Sequence, residues 1–234
     1  MVLKRSWAGE VRNVSVLVAI GVGSDGYRRI LGVAEGHKED KSGWSGFLKH
    51  LKERGLSGVK LIISDASIGL KGSAGDYYPE AEWQRGMVHF YRNVFSHVPN
   101  AKVKEVARML KAIHAQESLA AARIKAGDLV VQLKQMRLGK AAVLVEEAIE
   151  ETLTYYRFPD NHWVRIRTNN PMERIIREIR RRTRVVGAFP DGQSAVMLCA
   201  ARLRHIAGTK WGTRRYLNMD TLKQQQLERQ PTTA

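Results

Sequence analysis

The spacing of hydrophobic positions changes several times along the chain, and each change predicts a different element. Residues 13–22 and 27–36 are rich in β-branched side chains and flank a Gly-Ser-Asp-Gly turn, which predicts an antiparallel hairpin. Apolar residues at helical spacing predict a helix over residues 41–54, with Gly55 as its C-cap. The almost continuous apolar run 59–63 is typical of a strand buried on both faces of a mostly parallel or mixed sheet.

The chain from residue 66 onward is mainly helical in pattern. Residues 66–78 predict a short helix weakened by glycines, and the run WQRGMVHF at 83–90 predicts another strand. From about 91 to 156, alanine, lysine, glutamate and leucine dominate, which indicates several consecutive helices. We therefore expect an α/β domain with an all-helical insertion, followed by residues 191–207 as a further amphipathic helix.

Residues 167–190 predict a capped helix with two different faces. Asn170 suits the N-cap, Pro171 the first turn and Glu173 the third position of a capping box. An apolar stripe repeats at i, i+3, i+4 and i+7, which indicates packing on a core. Its members are Met172, Ile175, Ile176 and Ile179. A second face is dense in arginine.

Composition narrows the class of protein. The chain has 234 residues, 44% of them hydrophobic, and a formal net charge of +16. Residues 164–216 hold 13 Lys and Arg but 3 Asp and Glu, so the positive charge is concentrated there. Such an excess of positive charge indicates a polyanionic partner, and it favours nucleic acid over a membrane surface. The single cysteine excludes an internal disulfide and a cysteine-cluster zinc site, and no apolar run is long enough to span a membrane.

Four features could carry chemistry, and each has a structural alternative. Asp65 follows a predicted buried strand, where it could bind Mg²⁺ or cap the next helix. Glu173 could be a functional acid or only part of a capping box, and Glu178 is equally well placed on the helix. His89 could face the site or fill the core. The arginines could bind phosphate or form a solvated face, and their density beside an apolar stripe favours phosphate. These arginines are Arg174, Arg177, Arg180, Arg181, Arg182 and Arg184.

Five stretches of the chain resemble the mutator-type transposases of bacterial insertion sequences. They are VLVAIGV, YRRILGVAEG, GLSGVKLIISDASIGL, WQRGMVHFYRNVFSHVP and RTNNPMERIIREIRRRTRVVGAFPDG. The resemblance covers the chain to about Leu222. It implies a ribonuclease-H-like mixed sheet flanked by helices, with an all-helical insertion before the last catalytic helix. It also implies an Asp-Asp-Glu site that binds two Mg²⁺ or Mn²⁺ ions.

Position by position, the resemblance makes Asp65 the second catalytic, metal-binding acid and Glu173 the third. His89, Asn170 and Glu178 become supporting residues. His89 matches the histidine of a Cys-x-x-His element, whose cysteine position is Gly86 here. The first acid would lie just before Val2, so the resemblance predicts an N-terminally truncated chain.

The resemblance implies four parts of the chain. Residues 1–92 form the first part of the catalytic core, with its first strand largely missing, and residues 93–160 form a helical insertion. Residues 161–222 form the final core helices with the basic DNA-binding face, and residues 223–234 form a polar tail. The implied function is metal-dependent DNA cleavage and strand transfer during transposition, impaired by the absent acid.

The alternative is a catalytically dead DNA-binding relic or a regulator of full-length transposase. The expected partners are insertion-sequence ends, target DNA and a second transposase chain, with no membrane. The expected location is the bacterial cytoplasm, at the nucleoid.

Overall fold

The computed structural model describes residues 1–7, 10–36 and 41–229, with the backbone alone at residues 5–7, 10–12 and 68. The strands are β1 (Val2–Trp7), β2 (Glu10–Val22), β3 (Arg28–Gly36), β4 (Leu61–Ser64) and β5 (Glu82–Arg85). The helices are α1 (Lys41–Glu53), α2 (Ile68–Tyr77), α3 (Met87–Phe95), α4 (Asn100–Ile113), α5 (Leu119–Gln135), α6 (Gly139–Ala148), α7 (Asp160–Ile166), α8 (Asn170–Val186), α9 (Gly192–Ala207), α10 (Lys210–Thr213) and α11 (Met219–Arg229). Short 3₁₀ turns at Glu150–Thr152 and Thr154–Arg157 join α6 to α7. The predicted α/β class is confirmed.

The chain forms two compact units, and the first contains an antiparallel sheet of order β1-β2-β3. This unit comprises residues 1–60, 67–81 and those from 170 onward. The predicted hairpin is confirmed: β2 and β3 pair, and the amide of Gly23 donates to the carbonyl of Tyr27 at 2.9 Å. Gly26 has a φ of +84°, a conformation that suits glycine at this turn. Strand β1 pairs with β2 over six residues, from Val2 opposite Ser15 to Trp7 opposite Glu10.

Helices α8 and α9 supply the core of the first unit. Ile175 and Ile179 are buried in one cluster with Val14 and Val16 of β2 and Leu203 of α9. Met172 and Ile176, the other members of the predicted stripe, are partly buried. The hydrophobic periodicity therefore identified the face of α8 that packs on the core.

The polar tail predicted at residues 223–234 begins within a helix. Helix α11 continues to Arg229, and Leu222 is buried. The helix follows from its composition, because glutamine, leucine, glutamate and arginine all have good helix propensity. Residues 230–234 lie outside the described residues.

The second unit contains residues 61–66 and 82–169. Strands β4 and β5 form a parallel pair within it, and Ser64 lies opposite Arg85. The prediction that β4 is buried on both faces is wrong, since all four of its residues are partly exposed. Four residues paired with one short strand bury less surface than a strand in the middle of a sheet. One mixed sheet that joins all the strands stays a prediction.

The predicted strand over residues 83–90 is present only as far as Arg85, and the rest of that prediction is wrong. Strand β5 ends at Arg85, Gly86 is the N-cap residue of α3, and His89 lies in the first turn of that helix. Phe90, Tyr91 and Val94 are buried at i, i+1 and i+4, a spacing that places them on one side of a helix. The apolar run therefore contains a strand-to-helix junction at its glycine.

A buried polar network stabilises the helical part of the second unit. The Nδ1 atom of His114 lies 2.8 Å from the Tyr91 hydroxyl, and its Nε2 lies 2.9 Å from the Thr152 hydroxyl. Burial lowers the pKa of His114 to about 4, so the imidazole is neutral at pH 7. The helices predicted between residues 91 and 156 are confirmed as α3 to α6. None of the described helices is long and apolar enough to cross a membrane.

Candidate functional site

Asp65 directly follows β4, in the second unit. The hydroxyl of Ser64 donates to the carbonyl oxygen of Asp65 at 2.8 Å and accepts from the indole of Trp83 at 2.9 Å. The N-cap of α2 is Ser67, whose hydroxyl accepts from the amide of Leu70. The alternative role of Asp65 as the cap of that helix is therefore wrong.

Two side chains from distant parts of the second unit contact the carboxylate of Asp65. The Nε2 atom of His89 lies 3.1 Å from Oδ2, and the amide nitrogen of Asn169 donates to Oδ1 at 3.0 Å. The side chain of Asp65 remains 49% exposed, so it can accept further ligands. His89 faces Asp65 rather than the core, as one of the two sequence-based alternatives predicted.

Gly86 shapes the space beside this group. Its amide donates to the carbonyl of Ser64 at 2.8 Å, which ties the start of α3 to the end of β4. A Cβ atom at this position would lie 3.2 Å from the Oδ1 atom of Asn169. The residue that stands where the Cys-x-x-His element has its cysteine therefore leaves room for Asn169.

Asn169 is the contact that sequence reasoning missed. The capping pattern directed attention to Asn170, which is exposed at the first residue of α8. The available signal was the doubled asparagine immediately before a helix, and it does not indicate which of the two faces a residue 104 positions away. Only the fold brings residues 65 and 169 together.

Glu173 lies in the first turn of α8, in the first unit, and its side chain is half-buried. Its role as a metal ligand stays a prediction.

Glu178 is surrounded by guanidinium groups. Arg181 contacts it at 3.0 Å, Arg182 at 3.8 Å, and Arg202 of α9 donates a short hydrogen bond to the same oxygen. The hydrogen bond from Arg181, followed by that from Arg202, lowers the pKa of Glu178 to about 2. Glu178 therefore joins α8 to α9 and neutralises part of the arginine face.

All six predicted arginines of α8 are exposed. Arg181 and Arg182 pair with Glu178, whereas no carboxylate in the described part of the chain pairs with the others. These others are Arg174, Arg177, Arg180 and Arg184. Exposed guanidinium groups with no internal anion are suited to phosphate, which they can bind bidentately.

The donor atoms suit a hard divalent cation. Mg²⁺ is commonly bound by one or two carboxylates and completes its shell with water and phosphate oxygens. Asp65 offers such a carboxylate, partly exposed and oriented by two neighbours. Over residues 1–7, 10–36 and 41–229, no three His, Cys, Asp or Glu side chains form a group that could hold a metal ion.

Residues 1–211 match the family described as Transposase, Mutator family. The chain belongs to the mutator family of transposases. The sequence is 38% identical over 219 residues to the transposase for insertion sequence element ISRM5 of Rhizobium meliloti (strain 1021), covering 93% of this chain and 54% of that protein.

Two further relatives of this mutator-family chain are transposases of mycobacterial and staphylococcal elements. The transposase for insertion sequence element IS1081 of Mycobacterium tuberculosis is 38% identical over 222 residues, or 95% of this chain and 53% of the relative. The transposase for IS256 in transposon Tn4001 of Staphylococcus aureus is 32% identical over 213 residues, or 90% and 54%. The chain spans about half the length of these curated relatives.

Proposed function

We propose that this chain is the catalytic part of an insertion-sequence transposase, which cleaves DNA strands at the ends of its element and joins them to target DNA. The observation that supports this most directly is the carboxylate of Asp65, which is partly exposed after β4 and oriented by His89 and Asn169. Membership of the mutator family supplies the reaction class. A ribonuclease-H-like arrangement of the catalytic core is part of the same proposal.

Asp65 and Glu173 are the proposed metal-binding acids, with Mg²⁺ or Mn²⁺ as the ion. A bound cation would neutralise charge at the scissile phosphate and activate the attacking water or hydroxyl. Two residues of the chain orient the carboxylate of Asp65 that would bind the ion. His89 and Asn169 each occupy one oxygen of Asp65 and restrict its rotation, which lowers the entropy lost when an ion is bound.

The exposed arginines of α8 are the proposed DNA-binding surface. They would neutralise backbone phosphates and release the counterions condensed on DNA, so binding should weaken steeply as salt rises. Contacts of this kind position DNA without reading its sequence. Recognition of the element's ends therefore requires residues in addition to this face.

Metal binding gives a test that does not depend on turnover. Titration of Mn²⁺ followed by electron paramagnetic resonance should show binding by the wild-type chain that is weakened at least tenfold in Asp65→Asn and in Glu173→Gln. Glu80→Gln, which removes an exposed carboxylate outside the proposed site, is the matched control. Equal Mn²⁺ affinity in all four proteins would rule out the proposed acids.

Cleavage of labelled element ends in the presence of Mg²⁺ or Mn²⁺ tests the reaction itself. Any cleavage that is present should disappear in Asp65→Asn. Cleavage that persists in this variant would contradict the catalytic role of Asp65.

A second candidate function is regulation, by binding DNA or by pairing with full-length transposase. The arginine face favours it, because those side chains are exposed whether or not the acids support catalysis. A regulator should bind the element's ends and inhibit a full-length transposase in trans, and Asp65→Asn should inhibit equally well. Inhibition that requires Asp65 would argue against this candidate.

A further inference from the structure

Residues 167–169 end the second unit and are held within it by three hydrogen bonds. The carbonyl of Arg167 accepts from the amide of Met87 at 3.3 Å, and its guanidinium donates to the carbonyl of His114 at 2.8 Å. The third comes from the side chain of Asn169, which donates to Asp65. One of these contacts holds the backbone of Arg167 and another holds its side chain, two residues before Asn169. The amide of Asn169 therefore meets Asp65 with little remaining freedom.

The orientation of the Asn169 amide is determined by its neighbours. Its nitrogen faces the Oδ1 atom of Asp65 at 3.0 Å, and the reversed orientation would place an amide oxygen against that carboxylate. Its own Oδ1 is buried, and no donor from the described residues reaches it. A buried acceptor without a donor is unusual in folded proteins. The contact with Asp65 is thus the polar contact that this amide makes.

Gly86 leaves room for Asn169 in its observed position. The Cβ atom of any other residue at this position would lie 3.2 Å from Oδ1 and 3.3 Å from Cγ of Asn169, which is closer than ordinary van der Waals contact. The backbone of Gly86 has a φ of −60°, which other residues also adopt, so no backbone strain requires a glycine here. The requirement is for space beside Asn169.

We propose that Asn169 is a positioning residue for Asp65, and that Gly86 leaves the space in which its amide sits. The inference rests on the proposed function, because it assigns Asn169 a role at the metal-binding acid. The amide holds Oδ1 while His89 holds Oδ2, so the rotation of the carboxylate is restricted. Asn169 acts through Asp65 and has no role of its own in bond breaking.

Mn²⁺ affinity is the first measurement. Partners that orient a metal ligand typically contribute 10- to 100-fold to affinity, so Asn169→Ala should weaken Mn²⁺ binding by about that factor. Asn100→Ala, an exposed asparagine at the start of α4 in the same unit, should leave affinity unchanged. Thermal unfolding of both variants checks that the fold is retained. A folded Asn169→Ala protein with wild-type Mn²⁺ affinity would overturn the proposal.

Gly86→Ala provides a second, coupled test. Its methyl group should push Asn169 away from Asp65 and weaken Mn²⁺ binding, by less than the loss of the amide does. In the Asn169→Ala background the same substitution should have almost no further effect, because the side chain it displaces is gone. A full effect of Gly86→Ala in both backgrounds would show that the glycine acts independently of Asn169.

A metal-free measurement separates this inference from the proposed function. The side-chain amide signals of Asn169 in ¹H–¹⁵N spectra should shift in Asp65→Ala and remain unchanged in Glu80→Gln. If they shift but Asp65→Asn binds Mn²⁺ normally, the contact is present and the proposed metal role fails. If they do not shift, the positioning contact itself is absent and this inference fails.

Discussion

The carboxylate of Glu178 on α8 accepts a hydrogen bond from the guanidinium of Arg202 on α9. Both side chains are about three-quarters buried, at 26% and 22% exposed. Arg181 adds two hydrogen bonds to the same carboxylate, at 3.1 and 3.0 Å. The pair links α8, which carries the arginine face, to α9, so its charge state should affect the stability of the first unit.

Replacing Glu178 by glutamine should therefore lower stability in a pH-dependent way. The folded-state pKa of Glu178 is about 2, against an ordinary value of 4.5, so the ionised form is favoured by folding. Its contribution is fully present above pH 4.5 and is lost as pH falls towards 2. Urea unfolding of wild type and Glu178→Gln should show a difference at pH 7 that shrinks between pH 4.5 and 2. A constant difference would contradict the role of the ionised carboxylate.

The same ion pairs predict a difference between two arginines of α8. Arg177 has no carboxylate partner in the described part of the chain, whereas Arg181 is paired with Glu178. If each free arginine neutralises one phosphate, Arg177→Ala should reduce the slope of log affinity for duplex DNA against log salt by about 0.9. Arg181→Ala should reduce it less. Fluorescence anisotropy at several salt concentrations measures both slopes, and equal reductions would contradict the assignment.

Periodicity predicted the first unit better than the second, for a physical reason. The hairpin and the stripe on α8 each have one face on a core, and such faces produce a clear period of 2 or 3.6. The run at residues 83–90 contains the end of β5 and the start of α3, so neither period is sustained. Gly86 was the available signal, since a glycine inside an apolar run often marks a change of backbone direction. His89 was consequently assigned to a strand.

The contacts of the candidate site depend on tertiary structure to different degrees. Asp65 could be proposed from sequence, because an acid after an apolar strand is a recognisable pattern. Asn169 could not, since its partner lies 104 residues away. Glu178 and Glu173 were equivalent by helix position, and only the guanidinium of Arg202 on another helix shows how Glu178 is used.

His114 predicts a pH-dependent weakness in the helical part of the second unit. Burial lowers its pKa from 6.5 to about 4, so the unfolded chain takes up a proton more readily than the folded one. Stability is full above pH 6.5 and falls by roughly 3 kcal/mol as pH decreases through 6.5 to about 4. Urea unfolding should show this pH-dependent loss of stability in wild type and in His97→Gln, which changes an exposed histidine as a control. The loss should be absent in His114→Gln.

A direct measurement covers the case in which His114→Gln does not fold. The Hε1 resonance of His114 in the wild-type protein should not titrate between pH 7.5 and 5.5. A midpoint near 6.5 would show that the imidazole is accessible to protons and would contradict its role in the pH dependence.

Two adjacent glutamates each form an ion pair with an arginine, one with a buried arginine and one with an exposed arginine. Replacing each glutamate in turn tests how burial affects the strength of the ion pair. Glu151 pairs at 3.3 Å with Arg85, whose side chain is 6% exposed, whereas Glu150 makes two hydrogen bonds of 2.8 Å to Arg123 on the surface. Glu151→Gln leaves a buried guanidinium without its counter-charge and should cost roughly 3 kcal/mol. Glu150→Gln should cost less than about 1 kcal/mol, because an exposed pair is screened by water. Urea unfolding at pH 7 compares the two, and equal losses would show that burial of Arg85 does not determine the strength of its pair.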